Sequence, residues 1–287
     1  MTAAAAPSSS GRHATRVYEP GRRSHLSLGR YVRDLWRWRA FTVELARSEI
    51  KAEHYATVFG QLWNLLHPIL MAAIYYFLLT VVRNGKAAEP DHTAKLVLGI
   101  FVFRFISQAM TQGSRSVVTG ERIILNSAVP RAVMPLSSVL SSAANLVPTL
   151  LVYLVFHAAL GRPFTAALLM LPVVVAIAVL ATAGVSVALA ALTVGFRDTT
   201  NLLGHGTRYL LYVTPIIYRT EDIPEKIEPI IRLNPFTPIF GSLQHLVDGD
   251  LPNALQLGYG LVFALISLVV GFWYFVRKEP SFALNIS

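Results

Sequence analysis

The chain has 287 residues, of which 54% are hydrophobic and only 14% charged; a soluble domain carries roughly 25% charge, so this composition excludes an ordinary water-soluble globule and defines a membrane protein. A formal net charge of +9 does not imply nucleic acid, because about ten of the basic residues lie in residues 12–51, ahead of the first apolar run, where they read as orientation signals. The absence of cysteine excludes disulfides, thiolate metal sites and a cysteine nucleophile.

In chain order, residues 1–30 are rich in Ala, Ser, Gly and Arg without an apolar period, which predicts a disordered cytosolic arm. No apolar run follows the basic residues of MTAAAAPSSSGRHATR, so the first span is expected to act as its own insertion signal. Residues 31–57 read as interface and connecting helices. Within them YVRDLWRWRAF sets Tyr31, Leu35 and Trp38 against Arg33, Arg37 and Arg39, with Trp36 near the boundary. That pattern fits a helix lying flat among lipid headgroups, or a soluble helix packed on a partner.

Residues 58–276 are expected to hold six spans, since a charge-poor run of about 20 residues crosses the hydrocarbon core. The first, 58–82, carries Gly60, Asn64 and Pro68 near its start. The second, 95–117, contains Arg104, which facing lipid at mid-membrane costs about 2.5–3.5 kcal/mol on insertion scales and is expected to face a partner, water or headgroups. The third, 135–160, opens with Ser137, Ser138, Ser141 and Ser142, small hydroxyl residues that allow close helix packing and interhelical hydrogen bonds, and contains Pro148. The fourth, 164–194, sets Gly184 and Ala188, then Ser186 and Ala190, at small-xxx-small spacing, which predicts a central helix. The fifth, 199–218, contains His205, Arg208 and Pro215, and the sixth is 255–276, followed by a cytosolic tail, 277–287.

Between spans two and three, residues 120–135 (GERIILNSAVPRAVMP) alternate Ile123, Ile124 and Val129 with Glu121, Arg122 and Asn126. One or two helical turns at a membrane surface suit them, as does an ordinary polar loop. Residues 219–250 mix charges with Pro224, Pro229, Pro235 and Pro238; their second half, NPFTPIFGSLQHLV, is apolar enough to dip back into the membrane. Six spans put both termini on one side. About sixteen Lys and Arg outside the spans fall on that side and about seven opposite, which makes it cytosolic, and residues 219–250 external.

No phosphate-cradling GxxxxGK[ST] loop, HExxH, GxSxG elbow or glycine-rich dinucleotide turn occurs, so no enzyme activity and no bound cofactor are expected. His67, His157 and His205 have no second ligand at metal spacing and read as structural. A multi-span bundle without an energy source implies an energised partner.

The chain resembles the membrane subunits of ABC-2-type polysaccharide exporters, which include O-antigen and teichoic-acid permeases. The matching stretches are residues 44–68 ending in FGQLWNLLHPIL, the loop ILNSAVPRAVMPLSSV, the turn Phe196-Arg197-Asp198, Thr214-Pro215-Ile216-Ile217-Tyr218, and Asn234-Pro235-Phe236. The Ala- and Arg-rich N-terminus looks like that of actinobacterial members, the lipid-linked galactan exporter among them. The resemblance implies an all-α, six-span permease of the cytoplasmic membrane, paired with a second copy of itself and two cytosolic ATPase subunits that hold ATP and Mg. It implies export of a polysaccharide on a polyprenyl diphosphate. It also implies ATPase coupling at Glu121, Arg122, Asn126 and Arg131, joined by Arg197 and Asp198 on the neighbouring cytosolic turn, and an external gate element before the last span with Pro215, Asn234 and Pro235.

Sugar rings stack on aromatics, so a glycan passage is expected among Tyr75, Tyr76 and Phe77, Phe101, Phe103 and Phe105, and Tyr209, Tyr212 and Tyr218. Packing or an interfacial belt accounts for the same rings. Arg33, Arg37 and Arg39 are expected where a lipid diphosphate arrives, since their planar forks bind phosphate oxygens, or as anchors to anionic headgroups. The rival readings are a drug or small-lipid exporter of the same class, and a secondary carrier or membrane-embedded enzyme.

Overall fold

A computed structural model describes residues 28–53, 62–82, 90–127, 129–216 and 228–282, and among them every regular element is helical. In chain order these are α1 (Leu28–Arg37), α2 (Arg39–Glu53), α3 (Trp63–Val82), α4 (Pro90–Thr119), α5 (Glu121–Asn126) and α6 (Val133–Ala159). A 3-10 turn (Ala166–Met170) leads into α7 (Leu171–Gly195), followed by α8 (Thr199–Val213), α9 (Glu228–Leu233), α10 (Thr237–Asp248) and α11 (Ala254–Lys278). Among the described residues, four helical stretches are long and apolar enough to cross a membrane: Asp91–Thr119, Val133–Ala159, Ala166–Gly195 and Ala254–Ser281. They coincide with the expected second, third, fourth and sixth spans. The expected first span corresponds to α3, whose apolar run is the shorter Leu65–Leu78. The expected fifth corresponds to α8, with only 15 residues, among which Asn201, His205 and Arg208 dilute the apolar character.

α7 is the hub, as its small residues predict. Gly184 faces α11: a Cβ there would lie 2.3 Å from the backbone carbon of Ser267, and one on Gly271 would lie 2.2 Å from the Gly184 carbonyl oxygen. The two backbones touch, and Ser267 donates across the crossing to Ala181 O at 3.1 Å. Close approach of this kind replaces the hydrophobic drive that lipid cannot supply. A second small face of α7 meets α4, where Ser186 packs on Gly113 and donates to Ala109 O at 3.1 Å.

The main core, with Leu98, Val102, Ile106, Ile177, Ala178 and Phe240, lies among α4, α7 and α10. α10 is therefore packed into the bundle by Ile239, Phe240, Leu243 and Leu246 rather than lying loose on it. A smaller core, with Tyr31, Ile124, Ala132, Val194, Phe275 and Phe282, closes the opposite end and gathers α1, α5 and the C-terminal turn Glu279–Ser281. The first and last described segments thus meet at the α5 end. At the α10 end, Arg162 pairs with Asp91 at 2.5 Å and donates to Val247 O at 2.7 Å, while Lys95 pairs with Asp248 at 2.5 Å.

The α7–α11 crossing yields a direct expectation. Gly184→Ala and Gly271→Ala each force two backbones apart and cost about 1–3 kcal/mol. Gly258→Ala, with no atom within 4 Å of the new methyl, leaves stability unchanged or raises it. Thermal unfolding of the purified variants in micelles makes the comparison; equal midpoints for all three would contradict the crossing.

Candidate functional site

Between residues 101 and 117, every α4 residue that is not buried is polar: Arg104, Ser107, Gln108, Thr111, Gln112 and Arg115. They recur at three- and four-residue steps and so share one face, while Val102, Ile106, Ala109 and Val117 face the core. The ordinary rule for a membrane helix is reversed here. The apolar side packs on protein, and the polar side runs from Arg104 to Arg115, a rise of about 16 Å at 1.5 Å per residue, which is about half of the hydrocarbon thickness.

This face lines a cavity of about 540 Å³ between α3, α4 and α6, closed on one side by Leu211 of α8. An adjoining lobe of about 230 Å³ includes Glu53, Trp63 and Asn145. Arg104 reaches across the cavity to donate to His67 Nε2 of α3, so the intramembrane arginine meets a cavity and not lipid. Glu53, at the end of α2, accepts from Gln108 at 3.3 Å and Asn145 at 3.0 Å. Of the aromatic candidates, Phe101, Phe105 and Tyr75 line these spaces. Phe103 lines the larger cavity and also packs against Phe240, with ring centroids 6.3 Å apart. Tyr76 stands edge-on to Phe156, and Phe77, Tyr209 and Tyr212 are exposed on the outer surface of the chain. Tyr218 lies outside the described residues.

Toward the α5 end the polar face continues into a groove of about 470 Å³ bounded by α2, α4, α5 and the start of α6. Here Glu49 of α2 accepts from Ser137 and Ser141 at 2.9 Å and from Ser138 at 3.4 Å. These serines of α6 thus make hydrogen bonds between helices, as a cradle for one carboxylate of α2. Burial pushes the Glu49 carboxyl up from the ordinary 4.5, the three hydroxyls pull it partly back, and Glu53 adds to the rise.

α5 itself buries Ile124, leaves Glu121 half-buried and exposes Arg122; Asn126 lies in its last turn. Arg131, beyond it, is half-buried and tied to the C-terminal turn: its backbone N–H donates to Glu279 Oε1 at 3.2 Å and its guanidinium to Glu279 O at 2.6 Å. Tyr31 of α1 accepts from Ala132 N at 3.3 Å, and burial, with Glu279 beside it, raises its hydroxyl well above the usual tyrosine value. Tyr31 thus anchors α1 in protein, whereas Arg33, Arg37 and Arg39 are exposed, with Arg39 over the Trp36 ring and Arg37 3.5 Å from Asp34. Arg197 and Asp198 are exposed on the α7–α8 turn, at the same end as α5 because Val194 and Ile124 share one small core.

The residues expected in an external gate are brought together. Buried Asn234 donates to Thr214 Oγ1 at 2.8 Å and accepts from Phe236 N at 3.0 Å, so it ties the start of α10 to the exit of α8. Pro235 continues that turn, and Pro215 O accepts from Gln244 of α10 at 2.7 Å.

Membrane-crossing helices around a polar cavity are the build of a transport protein. A model of the ABC-2 type transporter family matches residues 45–247, and the chain belongs to that family. It is similar to the O-antigen export system permease protein RfbA of Klebsiella pneumoniae, 29% identical over 242 residues, which cover 84% of this chain and 93% of that protein. It is also similar to the O-antigen export system permease protein RfbA of Myxococcus xanthus, 27% identical over 264 residues, 90% of this chain and 99% of that one.

The Glu49 cradle gives a pH dependence of stated sign. The folded carboxyl is the weaker acid, so the folded chain holds its proton to higher pH than the unfolded chain does. The stability it contributes is fully present below 4.5 and is lost as pH rises through the folded value. Glu49→Gln keeps an acceptor for the serines and removes the titration, so its unfolding midpoint stays flat across that window while the wild type declines. Parallel pH profiles for the two proteins would refute the cradle's role.

Proposed function

We propose that this chain is the membrane subunit of an ABC exporter that moves a polysaccharide, carried on a polyprenyl diphosphate, outward across the cytoplasmic membrane. The observation that carries the reading is the continuous polar face of α4, beside Phe101, Phe105 and Tyr75, in a chain similar over most of its length to O-antigen export permeases. Such a surface suits a glycan: rings stack on the aromatics while hydroxyls exchange hydrogen bonds along the stripe. Tyr212 extends the aromatic lining once a second copy of the chain closes the passage.

In this reading α3, α4, α6, α7 with its leading turn, α8 and α11 are six spans, and both termini are cytosolic, as the basic residues favour. Residues 1–30 are a cytosolic arm, 31–57 interface and connecting helices, 58–276 the transmembrane domain and 277–287 the tail. Two ATPase subunits, holding ATP and Mg, grip Glu121, Arg122, Asn126 and Arg131 together with Arg197 and Asp198. Arg33, Arg37 and Arg39 receive the lipid diphosphate at headgroup level, and Pro215, Asn234 and Pro235 form the hinge of the external gate.

The test is reconstitution of the chain with its ATPase in vesicles. The complex is expected to hydrolyse ATP and deliver lipid-linked glycan to the far side, while the chain alone hydrolyses none. Arg122→Glu, a repulsive change at the docking surface, is expected to lower export by roughly tenfold without altering membrane insertion. ATP hydrolysis by the partner-free chain, or transport of small lipids with no glycan, would overturn the assignment.

A further inference from the structure

The wall of the 540 Å³ cavity holds Arg104, Arg115 and His67 but neither Asp nor Glu among its described residues. Such an imbalance is unusual inside a membrane, where a buried positive charge is ordinarily matched by a carboxylate. Among the described residues no carboxylate lies within ion-pair distance of either arginine. Glu53, the one acid among the described residues of the adjoining lobe, is occupied by Gln108 and Asn145. Arg104 instead donates to a histidine, and Glu53 acts on its charge only from beyond ion-pair distance. Arg115, at the groove end of the same face, spends its Nε on Thr111 O at 3.3 Å, and its terminal nitrogens remain to serve a ligand.

We infer that Arg115 and Arg104 are two successive phosphate-binding stations, one at the mouth of the α4 face and one at its inner end, with His67 orienting the second. The inference rests on the export reading above and adds to it the place where the anionic part of the substrate is held. Phosphate is the anion the geometry favours: a guanidinium offers a planar fork to two of its oxygens, and the acids of the adjoining lobe and groove, Glu53 and Glu49, are engaged by Gln108 and Asn145 and by the serines of α6. The stations are 11 residues apart, about 16 Å along the helix, so one phosphate or diphosphate touches one arginine at a time. Ser107, Gln108, Thr111 and Gln112 lie between them on the same face and supply hydrogen bonds during the passage. The cavity volume is in the range of small-ligand sites, about 300–1,000 Å³.

The phosphate has two possible sources, a lipid-linked diphosphate or the headgroup of an anionic phospholipid, and binding to the purified full chain in neutral detergent separates them. The probes are farnesyl diphosphate, farnesol as the uncharged control, and phosphatidylglycerol as competitor. Farnesyl diphosphate is expected to bind and farnesol not. Arg104→Gln and Arg115→Gln are each expected to weaken binding roughly tenfold, and Arg47→Gln, on the exposed face of α2 beside Glu44 and outside these cavities, to leave it unchanged. Arg104→Lys, which keeps the charge but loses the fork, should fall between, and serves if the glutamine variant fails to fold. Displacement by phosphatidylglycerol that depends on Arg104 supports the stations and assigns the phosphate to bilayer lipid; absence of displacement supports them and assigns it to the diphosphate. Wild-type affinity in both glutamine variants, or equal binding of farnesol, overturns the inference. The assay requires neither ATPase nor transport, so a failure of the export reading leaves its outcome standing, and export that persists in variants with unaltered binding rejects the stations alone.

Discussion

A polar side chain in hydrocarbon is costly, and α4 carries six on one face across half of a membrane. That cost is the constraint from which the rest of the architecture follows. Lipid cannot cover the face, so α3, α6 and the end of α2 stand around it, and the space they leave is a cavity rather than a packed seam. Glu53 extends from the preceding helix to meet Gln108 and Asn145, and Ser142 of α6 donates to Gln112 at 3.3 Å. The opposite, apolar side of α4 is pressed into the core by α7 and α10. An amphipathic helix of this polarity is stable in a membrane only when one side is sealed by protein and the other is wet.

The seal depends on small residues. Gly184 and Gly271 let α11 lie against α7 backbone to backbone, and Ser186 against Gly113 does the same for α7 and α4. α11 and α6 keep broad apolar outer faces, with Val262, Val269 and Val270 on one and Val147, Leu151 and Val155 on the other. The lipid-facing surface and the polar face are therefore on different helices. At the α5 end a second, smaller core binds together α5, the C-terminal turn through Arg131 and Glu279, and α1 through Tyr31.

Much of this was legible in the sequence. The four long spans were placed within a few residues because long apolar windows are the strongest signal a membrane chain carries, and Gly184 was identified by its small-residue spacing. The Asn234-Pro235 turn was also recognised, although its partner Thr214 was not. What sequence reading missed was pairing over distance. Ser137 and Ser141 were read as residues for close packing and interhelical hydrogen bonds, but nothing local shows that Glu49, about 90 positions earlier, is their acceptor. Arg131 was read on its loop alone, and no local feature announces its bonds to Glu279, 148 residues later. The polar face of α4 had a readable signal, with three- and four-residue steps from Arg104 to Arg115, but averaging hydropathy over a span reduced it to a single arginine. Exposed Tyr209 and Tyr212 could not be told from cavity-lining Tyr75 by residue type alone.

The central claim is that this face of α4 is in contact with water inside the membrane. Because the chain contains no cysteine, single cysteines can be placed at each position from 102 to 115 in the otherwise native protein and exposed in intact vesicles to a membrane-impermeant thiol reagent. The account predicts fast modification at positions 104, 107, 108, 111, 112 and 115 and protection at 102, 106, 109, 110 and 113. Uniform protection along the helix, or modification that peaks on the face of Val102, Ile106 and Ala109, would contradict it.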